Sequence, residues 1–597
     1  MMEQAYQALK QYFGYDHFRT GQEELIAAIL QHRDCLGIMP TGAGKSVCFQ
    51  VPALLLPGIT IVVSPLISLM KDQVNALTQA GVRAAFINST LTDRQTYLAL
   101  DNAKNGVYKI IYVAPERLES RGFLAFAQTA NIAMVVVDEA HCISQWGQDF
   151  RPSYLNITAF LAHLPRRPIL SAFTATATAR VREDIINALA LESPTLLVSG
   201  FDRSNLSFMV KQPKNKKTAL LSFLETRRNQ CGIIYCATRK KVEEVCQFLL
   251  DEGFEASRYH AGLPDQERHT NQEDFLHDHV HIMVATNAFG MGIDKSNVNF
   301  VVHYNMPADI ESYYQEVGRA GRDGQPADCL LLYSSQDIII HNLLIDHSNE
   351  PDQKQQSRKR LKDMAYFCNA ADCLRWLILR YFGETAKESC NNCSNCLENL
   401  ELTDVTTEAQ KIISCVIKSG ERYGAGTIVD VLRGSKSEKI TGWGLDKLST
   451  YNISTFSDRH LRDIIQYLTL HEFLYVSEGK YPTLSRGKRA ADVLQGQTLV
   501  KIKLSSGQTG RQASPTKKAA QGEVNAKLFE ALKFVRKEIA TKQRVPAFVI
   551  FPDSTLVDMC RKMPQNEQDM LAVSGVGEVK LQKYGSIFLA TIAGFVK

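Results

Sequence analysis

The sequence predicts an α/β protein with several domains, in which two tandem parallel-sheet domains precede smaller helical and mixed domains. Its 597 residues are several times the usual size of one domain. From residue 33 to 200, apolar runs bounded by turn signals alternate with longer helical patterns, and this rhythm restarts after the polar stretch 211–219. Alternation of this kind is typical of parallel sheets that are covered by helices.

Nine apolar runs are interpreted as buried strands that end in loops. The first sheet takes the runs at 34–40, 59–65, 108–115, 133–140 and 167–176, and the second takes those at 231–239, 256–262, 281–290 and 299–307. Function in parallel sheets concentrates where the strands end. We therefore expect the chemistry in the loops that follow these runs.

The predicted domain boundaries follow changes of pattern along the chain. The two sheet domains are placed at 1–200 and 201–335, a mostly helical stretch with a cysteine cluster at 336–402, and a mixed region at 403–503. Residues 504–522 are rich in Gly, Ser, Gln and Lys and have almost nothing to bury, which predicts a flexible linker. Helical periodicity returns at 523–597 and predicts a small all-helical domain.

The composition is that of a globular protein, with 45% hydrophobic and 22% charged residues, which argues against a mainly disordered chain. The net charge of +5 is too small to indicate nucleic-acid binding by itself. The first ten residues lack a basic segment followed by an apolar run, so no signal peptide is predicted. The apolar stretch 47–63 contains Pro52, Pro57 and Gly58, which fits a buried helix, turn and strand better than a membrane span.

The segment "MPTGAGKSVCFQ" follows a predicted strand and opens a predicted helix, the context that a phosphate-binding loop requires. Lys45 can reach the β and γ phosphates, the Ser46 hydroxyl can hold Mg²⁺, and the glycines let backbone N–H groups crowd a phosphate. Met39 stands where the general pattern has its first Gly, which leaves a glycine turn before an ordinary helix as the alternative. The residues predicted to bind nucleotide here are Thr41, Gly42, Ala43, Gly44, Lys45 and Ser46.

The segment "VVVDEAH" ends the fourth predicted strand with two carboxylates. Asp138 can hold Mg²⁺ through water, and Glu139 can orient or deprotonate an attacking water, as phosphoryl transfer requires. An acidic pair after a strand can also be no more than a helix N-terminal charge. The phosphate-binding loop upstream favours the catalytic interpretation.

The segment "YYQEVGRAGRDG" places Gln315, Arg319 and Arg322 at the end of the second sheet. Two arginines aimed at a cleft can stabilise the charge of a transferred phosphate, although a solvated basic helix is the alternative. If the first sheet binds ATP and the second senses it, the cleft closes on ATP and opens after hydrolysis. The sequence therefore predicts a nucleotide-driven motor.

These motifs, together with several others, resemble the RecQ family of DNA helicases within helicase superfamily two. The segments that carry the resemblance are "FGYDHFRTGQEE", "MPTGAGKS", "SPLISLMKDQ", "YVAPERL", "DEAHCISQWGQDFRP", "FTATAT", "IIYCATR", "YHAGL", "ATNAFGMGIDK" and "YYQEVGRAGRDG". The resemblance implies RecA-like motor domains and an ATP-dependent 3′–5′ DNA helicase that acts in recombination, repair and replication-fork maintenance. It also implies adenine recognition by Tyr15, Arg19 and Gln22, which as residue types can equally be turn and cap residues.

The stretch Asp138–Phe150 brings two aromatics, Trp146 and Phe150, into a polar loop directly after the acidic pair. Such rings usually pack in a core, but in a loop they can stack on DNA bases with little sequence preference. In the RecQ family the corresponding loop links single-stranded DNA binding to ATP hydrolysis. We therefore expect Trp146, Phe150 and Arg151 to contact DNA, and His141 to relay that state toward Glu139.

A cysteine cluster has the spacing of a structural zinc site. Thiolates in a C-x16-C-x2-C-x2-C pattern can bind Zn²⁺ tetrahedrally, and the resemblance places a zinc module here. Cys368 is the alternative to Cys373 as the fourth ligand. The predicted ligands are Cys373, Cys390, Cys393 and Cys396.

The last two regions resemble the winged-helix and HRDC domains of the family. Tyr481, at the tip of a predicted hairpin, is a candidate strand-separating wedge, with surface packing as the alternative. In the tail, Gly575, Gly577 and Lys580 can contact a DNA phosphate, whereas helix capping would explain the glycines equally well. The linker would make this domain a tethered second DNA grip.

The expected cofactors are ATP, Mg²⁺ and Zn²⁺, and the expected partners are single-stranded and duplex DNA. The resemblance adds a single-stranded-DNA-binding protein and recombination or topoisomerase proteins as partners, no membrane contact, and a location in the bacterial cytoplasm and nucleoid. Two alternatives remain open at this point: an RNA helicase, because "DEAH" also occurs in such proteins, and a scaffold with a silent motor.

Overall fold

The structure is a computed structural model that describes residues 1–65, 67–144, 150–289, 295–346, 351–398, 403–477, 482–502, 525–543 and 545–595. The chain divides into two compact units. The first comprises Met1–Leu344, Ile378–Ala386 and Thr516–Lys597, and the second comprises Ile345–Leu377 and Lys387–Pro515. The expected linker at 504–522 lies outside the described residues.

The first unit opens with a seven-stranded parallel sheet in the order β3-β4-β2-β5-β6-β1-β7. The central strands are buried on both faces, which is why they read as continuous apolar runs. The strands are β1 (Cys35–Ile38), β2 (Ile59–Val63), β3 (Ala84–Ile87), β4 (Ile110–Val113), β5 (Ile132–Val137), β6 (Ile169–Thr174) and β7 (Thr195–Val198). The helices are α1 (Met2–Ala8), α2 (Gln22–Leu30), α3 (Lys45–Leu55), α4 (Ile67–Gln79), α5 (Asp93–Lys104), α6 (Arg121–Thr129), α7 (Asn156–Ala162) and α8 (Ala179–Ala188).

The second sheet has six parallel strands in the order β10-β11-β9-β12-β13-β8. They are β8 (Leu206–Lys211), β9 (Gly232–Tyr235), β10 (Ala256–Tyr259), β11 (Ile282–Ala285), β12 (Phe300–His303) and β13 (Ala327–Leu332). Its helices are α9 (Lys216–Leu224), α10 (Arg239–Asp251), α11 (Asp265–Leu276) and α12 (Ile310–Val317).

A helical region follows the second sheet and leads into a mixed domain. The helices of this region are α13 (Ser335–Asp346), α14 (Pro351–Asn369), α15 (Leu374–Tyr381) and α16 (Ser394–Leu397). The mixed domain has its own apolar core and a two-stranded hairpin, the wing. Its elements are β14 (Thr403–Asp404), α17 (Thr406–Lys418), α18 (Ala425–Leu432), α19 (Glu438–Gly442), α20 (Asp458–Leu470), β15 (Leu474–Val476), β16 (Leu484–Arg486), α21 (Ala490–Leu494) and β17 (Lys501–Ile502).

The C-terminal residues fold as a small helical domain around a separate core that includes Leu532, Phe551 and Phe588. Its helices are α22 (Ala526–Gln543), α23 (Ala547–Ile550), α24 (Asp553–Lys562), α25 (Glu567–Leu571), α26 (Glu578–Lys580) and α27 (Ser586–Ala593). Among the described residues, none of the helices combines the length and the apolar composition needed to cross a bilayer.

The predicted fold class is confirmed, with two parallel sheets, a helical cysteine module, a mixed domain and a helical end. All nine predicted strands are present. Four further strands of these two sheets, β3, β7, β8 and β13, were not predicted. Strand β8 is a partly exposed edge strand that contains Ser207 and ends at Lys211, so it lacks the unbroken apolar run by which most buried strands were found.

Candidate functional site

The site is built where three neighbouring strands of the first sheet end. Strand β6 lies between β5 and β1, with Val137 opposite Ala172 and Thr174 opposite Ile38. Thr174 is therefore positioned between the acidic pair that follows β5 and the loop that follows β1. Parallel strands bring these three segments to one edge of the sheet, as the sequence predicts.

The phosphate-binding loop depends on two glycines with left-handed backbone. Gly42 and Gly44 both have φ of 84°, and Gly44 caps the N-terminus of α3. The start of α3 carries Lys45 and Ser46, so the helix N-terminus, the ammonium and the hydroxyl are presented together. This is the arrangement that anchors the phosphates of a nucleotide.

The acidic pair contacts the phosphate-binding lysine. Glu139 Oε1 lies 3.7 Å from Lys45 Nζ, and the Glu139 backbone N–H donates to Asp138 Oδ1 at 3.0 Å. Within the part of the chain that the structure describes, Glu139 Oε2 is buried without a hydrogen-bond partner, and it lies 3.4 Å from His141 Nδ1. A carboxylate oxygen left in this way is available to a water molecule.

The two carboxyl groups have opposite pKa shifts. Burial raises the pKa of Asp138 to about 6, and the neighbouring Glu139 carboxylate adds to this effect. Burial also disfavours ionisation of Glu139, but Lys45, His141, Arg319 and Arg322 outweigh it and hold the pKa of Glu139 below its ordinary value. Glu139 is thus ionised at neutral pH, as a group that orients or accepts a proton from water must be.

A continuous line of polar contacts, one of them to a backbone carbonyl, runs from Glu139 into the second sheet domain, and we name it the polar line. His141 Nδ1 is 2.8 Å from Thr174 Oγ1, whose hydroxyl donates to the Thr176 carbonyl at 3.2 Å. Gln315 Nε2 then donates to Thr176 Oγ1 at 3.0 Å. Of its five members, only Thr174 and Thr176 were not predicted.

Arg203 is a second direct link between the two sheet domains and was missed by the sequence reasoning. Its guanidinium donates to the Thr41 carbonyl at 2.6 Å, and to the carbonyls of Ala320 and Gly321 at 3.0 and 2.8 Å. Burial lowers its pKa, and the nearby Arg322 contributes. An arginine in the connection between two sheets carries no motif, so the sequence gives no signal for it.

The two predicted arginines lie beside this link. Arg319 is buried, and a Cβ added to Gly42 would lie 3.5 Å from Arg322 Cα. Both guanidinium groups lower the pKa of Glu139. The structure therefore brings Lys45, Asp138, Glu139, Gln315, Arg319 and Arg322 to one cleft.

The predicted adenine residues hold the phosphate-binding loop. Gln22 Nε2 donates to the carbonyls of Ala43 and Gly44 at 3.0 and 3.1 Å, and Arg19 donates to the Gly42 carbonyl at 2.5 Å. Tyr15 is 36% exposed and can present a ring face. Adenine recognition by these residues stays a prediction, since the contacts present here also fit the turn and cap alternative.

The loop between His141 and Arg151 carries Trp146 and Phe150, and we name it the aromatic loop. It is described only at its two ends. Trp146 lies outside the described residues. The Arg151 N–H donates to the Cys142 carbonyl at 2.9 Å, and the Arg151 guanidinium donates to the Pro65 carbonyl at 3.1 Å. Phe150 is partly buried next to it. The DNA contacts expected of Trp146, Phe150 and Arg151 stay predictions.

The cysteine cluster fits a zinc ion. The four sulfur atoms lie within 4.8 Å of one another, and tetrahedral Zn²⁺ with Zn–S distances of about 2.3 Å needs sulfurs about 3.8 Å apart. The Ser389 hydroxyl and the Asn392 N–H donate to the sulfurs of Cys396 and Cys390 at 3.4 and 3.3 Å. The group contains Cys373 and leaves out Cys368, as the sequence analysis preferred.

The two remaining candidate DNA sites have different outcomes. Tyr481 lies outside the described residues, although the wing strands β15 and β16 that lead to it are present. Gly575 and Gly577 are buried against residues 10–14 of the first sheet domain. The Lys580 ammonium donates to the Val549 carbonyl at 2.8 Å, and burial lowers its pKa to about 8. A DNA contact by these three residues stays a prediction.

Comparison with known families matches five consecutive segments of the chain. They are the DEAD/DEAH box helicase family at 19–185, the helicase conserved C-terminal domain at 215–324, RecQ zinc-binding at 335–397, the RQC domain at 399–510 and the HRDC domain at 525–592. The four clustered cysteines thus lie in the segment that matches RecQ zinc-binding, and the cleft is formed by the two segments that match helicase families.

Full-length relatives agree with this order. The "ATP-dependent DNA helicase RecQ" of Bacillus subtilis is 44% identical over 599 residues, which cover 100% of both chains. The proteins of the same name from Haemophilus influenzae and Pasteurella multocida are each 38% identical, over 98% and 99% of this chain and 95% and 94% of their own lengths. The similarity is therefore not limited to the motor domains.

Proposed function

The chain belongs to the RecQ family of ATP-dependent DNA helicases, and from this premise we propose how its residues couple ATP hydrolysis to DNA unwinding. The observation that carries the proposal is the polar line, which joins Glu139 in the first motor domain to Gln315 in the second. The RNA-helicase and silent-scaffold alternatives are set aside, because the family acts on DNA and the motor residues lie together.

In the proposed mechanism, Lys45 and the backbone of the phosphate-binding loop anchor the triphosphate. Ser46 and Asp138 would hold Mg²⁺, because burial makes the charge of the Asp138 carboxylate unfavourable and a bound cation would offset this cost. Bound Mg²⁺ supplies charge neutralisation at the β and γ phosphates. Glu139 orients the attacking water, and Arg319 and Arg322 stabilise the charge that develops on the γ phosphate.

Closure of the cleft is proposed to pass through direct contacts between the motor domains. Arg203 joins the phosphate-binding loop to residues 320–321, and Gln315 joins Thr176. A change at the γ phosphate therefore has two mechanical routes into the second motor domain. Repeated closing and opening of this kind moves the chain along single-stranded DNA.

We propose that DNA binding acts on the polar line through the aromatic loop. His141 lies at the start of this loop and is 3.4 Å from Glu139, while Arg151 closes its other end onto Cys142. Trp146 and Phe150 would stack on bases and change the position of His141 when DNA is bound. Tyr15, Arg19 and Gln22 are proposed to recognise adenine, and Tyr481 to separate strands at the wing.

One experiment tests these roles together. ATP turnover with and without single-stranded DNA, and unwinding of duplexes with a 3′ or a 5′ tail, are measured for the wild type, Lys45→Ala and Trp146→Ala. We expect unwinding only from the 3′ tail, no turnover by Lys45→Ala, and basal but unstimulated turnover by Trp146→Ala. Unwinding from the 5′ tail, or full DNA stimulation of Trp146→Ala, would contradict the proposal.

The wider assignments are proposals that follow from the family. We propose that the protein serves recombination, repair and replication-fork maintenance in the bacterial cytoplasm, with a single-stranded-DNA-binding protein and recombination or topoisomerase proteins as partners. We propose domain boundaries at 1–200, 201–335, 336–402, 403–503 and 523–597, with residues 504–522 as the tether. Matched DNA and RNA duplexes compared in the same unwinding assay would test the substrate class.

A further inference from the structure

We propose that the turn at residues 574–577 of the C-terminal domain, the tail turn, has two competing partners. One is a DNA phosphate, and the other is residues 10–14 of the first motor domain, the motor turn. Binding of single-stranded DNA then releases the motor turn, which directly precedes Tyr15. This inference rests on the proposed DNA contact of Gly575, Gly577 and Lys580.

The two turns meet through their backbones. The Gly575 N–H donates to the Gly14 carbonyl at 3.1 Å. A Cβ added to Gly577 would lie 2.9 Å from the Gln11 carbonyl oxygen, and one added to Gly14 would lie 2.6 Å from the Gly577 nitrogen. Contact this close needs glycine on both sides, which marks a specific seat rather than a loose surface contact.

Two lysines strengthen the seat, one from each domain. Lys10 Nζ donates to the Leu571 carbonyl at 2.7 Å, where α25 ends, and Lys583 Nζ lies 3.3 Å from the Gln79 carbonyl, where α4 ends. Cations at helix C-termini are favourable because carbonyl groups there have no partner inside the helix. Each domain therefore caps a helix of the other.

The seated tail turn does not present its two glycine N–H groups to DNA. The Gly575 N–H is bound to the Gly14 carbonyl, and the Gly577 nitrogen would lie 2.6 Å from a Cβ added to Gly14, so a phosphate has no room at either group. These are the groups that a phosphate would use in a turn of this kind. Seating on the motor and gripping a phosphate are consequently exclusive.

Release of the tail turn also affects the nucleotide motif. Lys10 Nζ pairs with Asp16 at 2.9 Å in addition to its bond to Leu571, and Gly14 and Asp16 flank Tyr15. A tail that is seated holds this segment in one arrangement. Since coupling between two binding events is reciprocal, seating lowers the DNA affinity of the tail, and DNA loosens the segment before α2.

The test uses the full chain and hydrogen–deuterium exchange of residues 10–16. Gln79→Lys places a second cation against Lys583 and unseats the tail, and Lys583→Ala removes the same contact from the other side. Asn75→Lys, at an exposed position one turn earlier on α4, adds the same charge as a control. Binding of an oligothymidine of about 20 nucleotides is followed by fluorescence anisotropy.

We expect exchange of residues 10–16 to rise in the wild type when the oligonucleotide is added. Gln79→Lys and Lys583→Ala should show the raised exchange without DNA, and Gln79→Lys should bind DNA about threefold or more tightly than Asn75→Lys. Exchange that DNA leaves unchanged, or equal affinity of Gln79→Lys and Asn75→Lys, would overturn the inference. DNA-stimulated ATP turnover, measured in parallel, separates this result from failure of the proposed function, which would remove stimulation from the wild type as well.

Discussion

Glu139 has a backbone conformation that residues other than glycine rarely adopt, with φ of 47°. Its neighbours hold it there: the Asp138 N–H donates to the Val63 carbonyl at 2.9 Å, and the Tyr154 hydroxyl donates to the Asp138 carbonyl at 2.8 Å. Strain of this kind persists where the surrounding fold over-determines it, and it concentrates at functional sites. The conformation directs the Glu139 carboxylate toward Lys45 and His141.

The buried Asp138 carboxylate is expected to destabilise the folded motor, although ATP turnover requires it. Its pKa is raised from 3.8 to about 6, so ionisation is favoured more in the unfolded chain than in the folded one. The folded motor keeps its full stability below pH 3.8, where Asp138 is protonated in both states, and it loses stability as pH rises through about 6, where the folded form ionises. Asp138→Asn should therefore stabilise the nucleotide-free motor by up to about 3 kcal/mol at pH 7.5 and by roughly half of that at pH 5.

Thermal unfolding of Asp138→Asn and wild type at these two pH values measures this difference, and ATP turnover should be lost in the variant. An equal gain in melting temperature at both pH values would show that the charge of Asp138 is not the cause. A variant that melts below the wild type would show that the buried Asp138 carboxylate does not destabilise the folded motor.

The Thr174 hydroxyl of the polar line can be removed with little change of shape by substitution with valine. Thr174→Val leaves His141 Nδ1 without this contact and is expected to lower kcat about tenfold or more, with KM for ATP changed less than about twofold. Steady-state kinetics with saturating DNA provide the measurement. Ser171→Ala on the same strand is the matched control, because its hydroxyl points to the Met134 sulfur instead. Equal kcat values for the two variants would remove Thr174 from the coupling route.

At the scale of single elements, the sequence predicts what depends on local pattern. Buried strands such as β2 and β6 and the loop before α3 were found because apolar runs and glycine spacing are contained in short segments. The bonds from Thr176 to Gln315 and from Arg203 to Thr41 join residues 139 and 162 positions apart, respectively. No local pattern encodes such contacts, and the seat of the tail turn was missed for the same reason.

The residues on either side of the zinc ligand Cys373 contact the winged-helix domain. Trp376 stacks on His471 with ring centroids 5.3 Å apart, and His471 Nε2 lies 3.3 Å from Asp372 Oδ1. Both contacts flank Cys373, so the metal ligand and the winged-helix contact share one short segment. Loss of zinc is therefore expected to loosen the winged-helix domain as well as the module.

Cys393→Ser should reduce zinc from about one ion per chain to near zero, since removal of one thiolate opens a closed four-sulfur site. Metal analysis of the purified protein measures this, and limited proteolysis follows the winged-helix domain. Cys368→Ser is the control: it should retain its zinc because Cys368 is outside the group of four. Zinc retained by Cys393→Ser, or lost from Cys368→Ser, would require a different ligand set.

At the scale of the whole molecule, the central question is how two motor domains act as one enzyme. The described contacts between them at the nucleotide site are few and polar, and the guanidinium of Arg203 contributes bonds to both sides. Polar contacts can be broken and remade at lower cost than a large apolar interface, which suits a cleft that opens in each cycle. In the inference above, contact between the tail turn and the motor turn is a second variable, which depends on whether DNA holds the C-terminal domain.

Arg203→Lys separates charge from geometry in this closure. A lysine keeps the positive charge but cannot span the Thr41 carbonyl and the carbonyls of Ala320 and Gly321 with one planar group. We expect kcat/KM for ATP to fall about tenfold or more, with a rise in KM, because the phosphate-binding loop loses its tie to the second motor domain. Arg227→Lys is the matched control, since Arg227 pairs with Asp328 within the second domain. Wild-type kcat/KM in both variants would show that closure does not depend on the Arg203 link. Loss of DNA unwinding by Arg203→Lys alone, with unchanged ATP turnover, would show that the link transmits force without shaping the nucleotide site.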